Sequence, residues 1–154
     1  MLTLCLLLCW QEPNVGGLAQ AAAAMMGANN KNITADAEYS QILVSYQTAH
    51  KRFLIEERFL ERAGDQEKMA DRRLIPINGL HSTLLHQDTN LDPAGPRYYL
   101  VLRYRASNKV LQFSDSQNQK AYPLLAIRLG AYSHTTVTEI KNLLDRLIKK
   151  LKAG

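Results

Sequence analysis

Between Arg97 and Arg105 (RYYLVLRYR) apolar and polar residues alternate. Tyr98, Leu100, Leu102 and Tyr104 fall on one side of a pleated chain, and Arg97, Tyr99, Val101, Arg103 and Arg105 on the other. A period of two predicts a strand with one buried face and one wet, basic face. Ala106-Ser107-Asn108 is a turn signal, after which Lys109 to Phe113 is expected to return antiparallel beside the first strand. A third strand is expected over 121–129, with Pro123 near its start.

The period then changes. Ile140, Leu143, Leu144, Leu147, Ile148 and Leu151 recur at steps of three and four, the mark of an amphipathic helix. Thr136 and Glu139 have the spacing of a capping box at its start. Lys149, Lys150 and Lys152 complement the helix dipole at its end. Burying six such side chains contributes on the order of 10 kcal/mol before entropy is subtracted. This helix is expected to dock on one sheet face.

In the first half, Tyr39, Ile42, Leu43, Tyr46, Ala49, His50, Phe53, Leu54 and Leu60 also fit steps of three and four. They predict a long helix over 35–63, capped by Thr34 or Asp36 and stopped at Gly64. Asp65 to Arg73 reads as a charged loop. Leu74 to Ile77 and Leu80 to His86 are strand candidates around an Asn78-Gly79 turn, and Asp88 to Pro96 is a loop. The expected fold class is α+β. It has a long N-terminal helix, a mainly antiparallel sheet of three to five strands, and a C-terminal helix packed on that sheet.

Residues 2–10 (LTLCLLLCW) are too short to span a bilayer as a helix and suit the apolar core of a secretory signal. Ala19-Gln20-Ala21 matches a small-x-small processing pattern, and Val15-Gly16-Gly17 is a weaker one. No Lys or Arg precedes the apolar run, which departs from the usual signal. The organisation expected is therefore a leader and linker over 1–34 and one domain over 35–154. An exported location, periplasmic or secreted, is favoured over a cytoplasmic one.

Charge sharpens the picture. The 154 residues carry a net charge of +5, distributed unevenly. From Pro96 on, five arginines and six lysines face Asp115, Glu139 and Asp145, which makes this part +8 and residues 1–95 −3. Such asymmetry points to an anionic partner or to contact between the halves. Both cysteines, Cys5 and Cys9, lie in the leader, so the domain has no thiol for a disulfide, zinc site or nucleophile.

No catalytic set stands out. His50, His81, His86 and His134 lack metal-ligand spacing, since His81 and His86 face opposite ways on a straight strand. Ser82, His86 and Asp88 lack the context of a hydrolytic triad. Glu56 and Glu57 read as an exposed ion-pair surface beside Lys51, Arg52, Arg58 and Arg62. No glycine-rich nucleotide loop is present, and no cofactor is expected.

The strongest functional signal is the basic strand face: Arg97, Tyr99, Arg103 and Arg105, with Lys109 joining across the hairpin and Arg128 from the next strand. Guanidinium groups contact phosphates or carboxylates, and a tyrosine can stack on a base. Two functions follow. One is a non-enzymatic binding or assembly protein, meeting a protein partner or a second copy through the 35–63 helix and an anionic surface through the sheet. The other is an intracellular single-stranded nucleic-acid binder.

Overall fold

The computed structural model describes residues 13–28, 31–33, 39–60, 67–87, 96–105, 109–114, 118–123 and 126–154. In chain order these form α1 (Val15–Ala28), β1 (Lys31–Ile33), β2 (Tyr39–Gln47), β3 (Arg52–Leu60), β4 (Glu67–Pro76), β5 (Leu80–Gln87), β6 (Tyr98–Tyr104), β7 (Lys109–Ser114), β8 (Asn118–Pro123), β9 (Ala126–Tyr132) and α2 (His134–Ala153). Two sheets result, a six-stranded one in the order β1-β2-β3-β4-β7-β8 and a three-stranded one in the order β5-β6-β9. Every pairing among the described strands is antiparallel. The class is α+β, with α2 packed on the smaller sheet.

Residues 35–63 do not form the expected helix. Residues 39–47 and 52–60 are the two arms of a hairpin, with Val44 opposite Ile55 and Tyr46 opposite Phe53. The chain reverses through a short 3-10 turn, Thr48–His50, and Lys51, whose φ of 48° is left-handed. The misreading has a physical cause. Ile42, Val44, Tyr46, Phe53 and Ile55 face the main core, while Leu54 is buried outside it, paired with Leu74. Apolar residues at both parities mimic steps of three and four. The β-branched and aromatic side chains on the core face prefer a pleated surface. The charged stretch read as a loop is likewise mostly strand, since β4 begins at Glu67. Thr34, Asp36 and Gly64 lie outside the described residues.

The strand expected over 97–105 is β6, and its Leu100, Leu102 and Tyr104 are buried as the alternation requires. Its neighbours differ from expectation. β6 pairs with β5 and β9, whereas β7 pairs with β4 and β8 in the other sheet. α2 buries Val137, Ile140, Leu144, Leu147 and Ile148, with Leu143 and Leu151 partly covered. Its cap is Ser133 rather than Thr136. The Ser133 hydroxyl accepts from the Thr136 amide at 3.2 Å and starts the helix earlier than the capping box implied.

Residues 15–28, read as leader and linker, form α1. Leu18, Ala19, Ala22, Ala23 and Met26 are buried in the same core as both sheets and α2. The Asn14 side chain caps this helix by accepting from the Gly17 amide at 2.8 Å. Near its other end Gly27 lies against β2 so closely that a Cβ there would sit 3.0 Å from the Val44 nitrogen. Both processing patterns of the leader, at 15–17 and 19–21, fall inside α1. The apolar run 2–10 lies outside the described residues.

Candidate functional site

The face of the three-stranded sheet turned away from α2 is the one on which the alternation placed arginines. Its ladder puts Ser82 opposite Arg103 and Ala126, Leu84 opposite Val101 and Arg128, and His86 opposite Tyr99. Arg103 is exposed here. Arg105 is also exposed, just past the end of β6, and its amide donates to the Gly79 carbonyl at 3.1 Å. That bond fixes Arg105 at the mouth of the β4–β5 turn. Gly79 itself has φ 93°, a conformation that glycine adopts without strain.

Of the six residues expected to act together, Lys109 is not brought to the others. Lys109 opens β7 in the six-stranded sheet, because β7 never pairs with β6. Arg128 takes the expected ladder position opposite Val101, and its side chain is outside the described set. Arg97 and Tyr99 are half-buried and engaged by other groups of the protein. Tyr99 also lines a cavity of about 270 Å³ with Ile42, Ile55, Glu57, Arg73, Leu129 and Gly130. Among the described side chains of the set, Arg103 and Arg105 are the exposed cations.

The strand expected over Leu80 to His86 is β5, to which the sequence reading gave no part in binding. In the three-stranded sheet it is an edge strand, with β6 on one side and no ladder partner on the other among the described residues. Leu84 and Leu85 on this strand are 47% and 36% exposed. Leu80 to Gln87 contains no Asp, Glu, Lys, Arg or Pro. Of the devices that blunt natural edges, charged side chains and Pro are absent from it, and a register irregularity stands at its start, between Leu80 and Ser82. α2 holds the strand in place, since the Thr83 hydroxyl donates to the Asp145 carboxylate at 2.6 Å. Lys141, one helical turn away, pairs with the same carboxylate. The signal was present in the sequence as an uncharged strand with adjacent leucines, but its edge position is a property of sheet order.

Other candidate chemistry is dispersed or paired. Glu56 and Glu57 stand on strand β3 rather than on a helix. Glu56 pairs with Arg58 at 3.7 Å and Arg72 at 3.4 Å, and Glu57 with Arg73 at 3.7 Å. His50, His81 and His86 are exposed, and the His134 ring packs against Tyr98 at 4.9 Å. Among the described residues no three His, Cys, Asp or Glu side chains gather as a metal site. A wider groove of about 800 Å³ runs between the start of α1, Lys51 and the end of α2. No described helix is long and apolar enough to cross a membrane. In comparison with known proteins, no family model, curated relative or solved structure matches this chain.

Proposed function

We propose that this is a non-enzymatic binding or assembly protein. Its contact surface is the open edge of the three-stranded sheet and the face beside it: strand β5 with Leu84 on that face and Leu85 on the other, and the cations Arg103 and Arg105 next to Leu84's face. The observation that carries this reading is the coincidence on one small sheet of an edge strand free of charge and Pro, exposed leucines and exposed arginines. Exposed apolar side chains rimmed by polar groups mark interaction surfaces. The partner contact expected of a 35–63 helix passes to this sheet, because residues 39–60 of that span are a hairpin.

The nucleic-acid reading is the weaker one. A single-strand platform needs several open aromatic faces flanked by cations. Tyr99 is engaged and lines a cavity, and Lys109 belongs to the other sheet. Titration of the full chain with polyglutamate and with a single-stranded oligonucleotide, each at two salt concentrations, separates the two. Polyglutamate is expected to bind and an Arg103→Glu/Arg105→Glu variant to lose that binding with its circular dichroism unchanged. Tight, steeply salt-dependent oligonucleotide binding would favour the nucleic-acid reading. Equal polyglutamate binding by the variant would remove the contact from this face.

A further inference from the structure

We infer that β5 accepts an added strand from a partner whose docking segment is extended and acidic. The inference rests on the contact surface proposed above and names its occupant. Three observations converge on it.

The first is the backbone. An edge strand carries a row of N–H and C=O groups at strand spacing, which another extended chain satisfies far better than a helix does. β5 spans eight residues; the Leu80 amide is taken by the Ile77 carbonyl and the register is irregular between Leu80 and Ser82, so the regular run is Ser82–Gln87, and Pro is absent from it. The Thr83–Asp145 hydrogen bond anchors it to α2, so the edge is held ready rather than formed on binding. That lowers the ordering cost of association.

The second is the side chains along the edge. Leu84 and Leu85 are neighbours in sequence and so lie on opposite faces of the sheet. Both are exposed. A strand laid beside β5 covers each of them from its own side, which a flat partner resting on one face would not do.

The third is charge, which selects the occupant. β5 itself is neutral, but its surroundings are basic. Arg103 stands opposite Ser82, whose short side chain leaves the guanidinium room to reach over β5. Two ladder spacings of about 4.8 Å separate β6 from an added strand, a gap that an arginine and a glutamate close between them. Arg105 flanks the Leu80 end, and on α2 the exposed Lys149 follows Asp145 by four residues, on the same helix face. Asp145, the acid that α2 brings to this strand, is already paired with Lys141 and hydrogen-bonded by Thr83. A second copy of this chain would set one basic rim against another across a two-fold axis, and like charges there oppose pairing. Carboxylates on the incoming strand remove that penalty.

The test uses the full chain and a short synthetic peptide of alternating valine and glutamate. Two control peptides accompany it: a valine–lysine version, and a valine–glutamate version N-methylated at alternate residues, which keeps the charge and loses the strand's donors. Amide hydrogen exchange is read residue by residue. The acidic peptide is expected to protect those amides of Ser82–Gln87 that face away from β6, and neither control to do so. Arg103→Glu and, separately, Leu84→Glu should each weaken binding about tenfold or more without lowering the melting temperature.

Protection elsewhere, or equal binding of the N-methylated peptide, overturns strand addition. If that N-methylated binding is still lost in Arg103→Glu, the contact surface survives while the docking mode does not. Equal binding of the lysine peptide overturns the charge assignment. Concentration-dependent protection of β5 in the chain alone makes the occupant a second copy and sinks the proposal.

Discussion

The Tyr132 hydroxyl, at the end of β9, donates a hydrogen bond to the Met26 carbonyl in the last turn of α1, 2.9 Å away and buried. The last carbonyls of a helix have no partner within it. Tyr132, fully buried, supplies one from 106 residues along the chain and ties the first helix to the strand that leads into the last. Tyr132→Phe keeps the ring and removes the bond. It should cost about 1–2 kcal/mol, measured as a lower urea midpoint at unchanged m-value.

Tyr104 is the opposite case. It is buried, yet among the described residues its hydroxyl finds no hydrogen-bond partner. Tyr104→Phe should therefore leave stability unchanged or raise it by about 1 kcal/mol. Burial also pushes the phenol's pKa well above its ordinary value. Such a group contributes stability below the unfolded pKa of about 10 and loses it as pH rises beyond, by about 1.4 kcal/mol per pH unit. Urea titrations at alkaline pH should show a shallower decline in Tyr104→Phe than in the parent. Parallel declines would remove this assignment.

Gly27 lets α1 lie directly on the backbone of β2, with Val44 nitrogen 3.0 Å and Val44 oxygen 3.4 Å from the place a Cβ would occupy. Backbone atoms in a paired strand cannot step aside as a flexible side chain does. Gly27→Val should force helix and sheet apart at a cost of about 1–3 kcal/mol, read as a lower melting temperature.

A chain cut after Ala21 loses the Asn14 cap and the buried Leu18 and Ala19. It should be at least about 3 kcal/mol less stable than a chain beginning at Pro13, which keeps all three. Equal melting temperatures for the two would show that the first half of α1 adds nothing to the core.

The parts of this fold legible in the sequence are those whose apolar residues keep to one face. β6 buries Leu100, Leu102 and Tyr104 and exposes Arg103, so the alternation is clean. α2 carries its stripe from Val137 to Ile148 on one side. The hairpin β2–β3 was misread because Leu54 is buried on the far side of its sheet as well. α1 was misread because its alanines and methionines show little periodicity, and a small-residue helix pressed against a strand needs little. For the site, the arginines could be found from alternation within β6. Which strand lies beside which could not. Lys109 was expected next to Arg103 because the intervening turn is short, yet β7 crosses to the other sheet.

The packing of α1 against α2 also bears on how the chain is made. The first helix leaves the ribosome long before the second exists, and its buried residues must wait for their lid. Non-local closure of this kind is slow and exposes apolar surface meanwhile. The core therefore closes only once α2 has been made, and until then the face of α1 that α2 covers stays open.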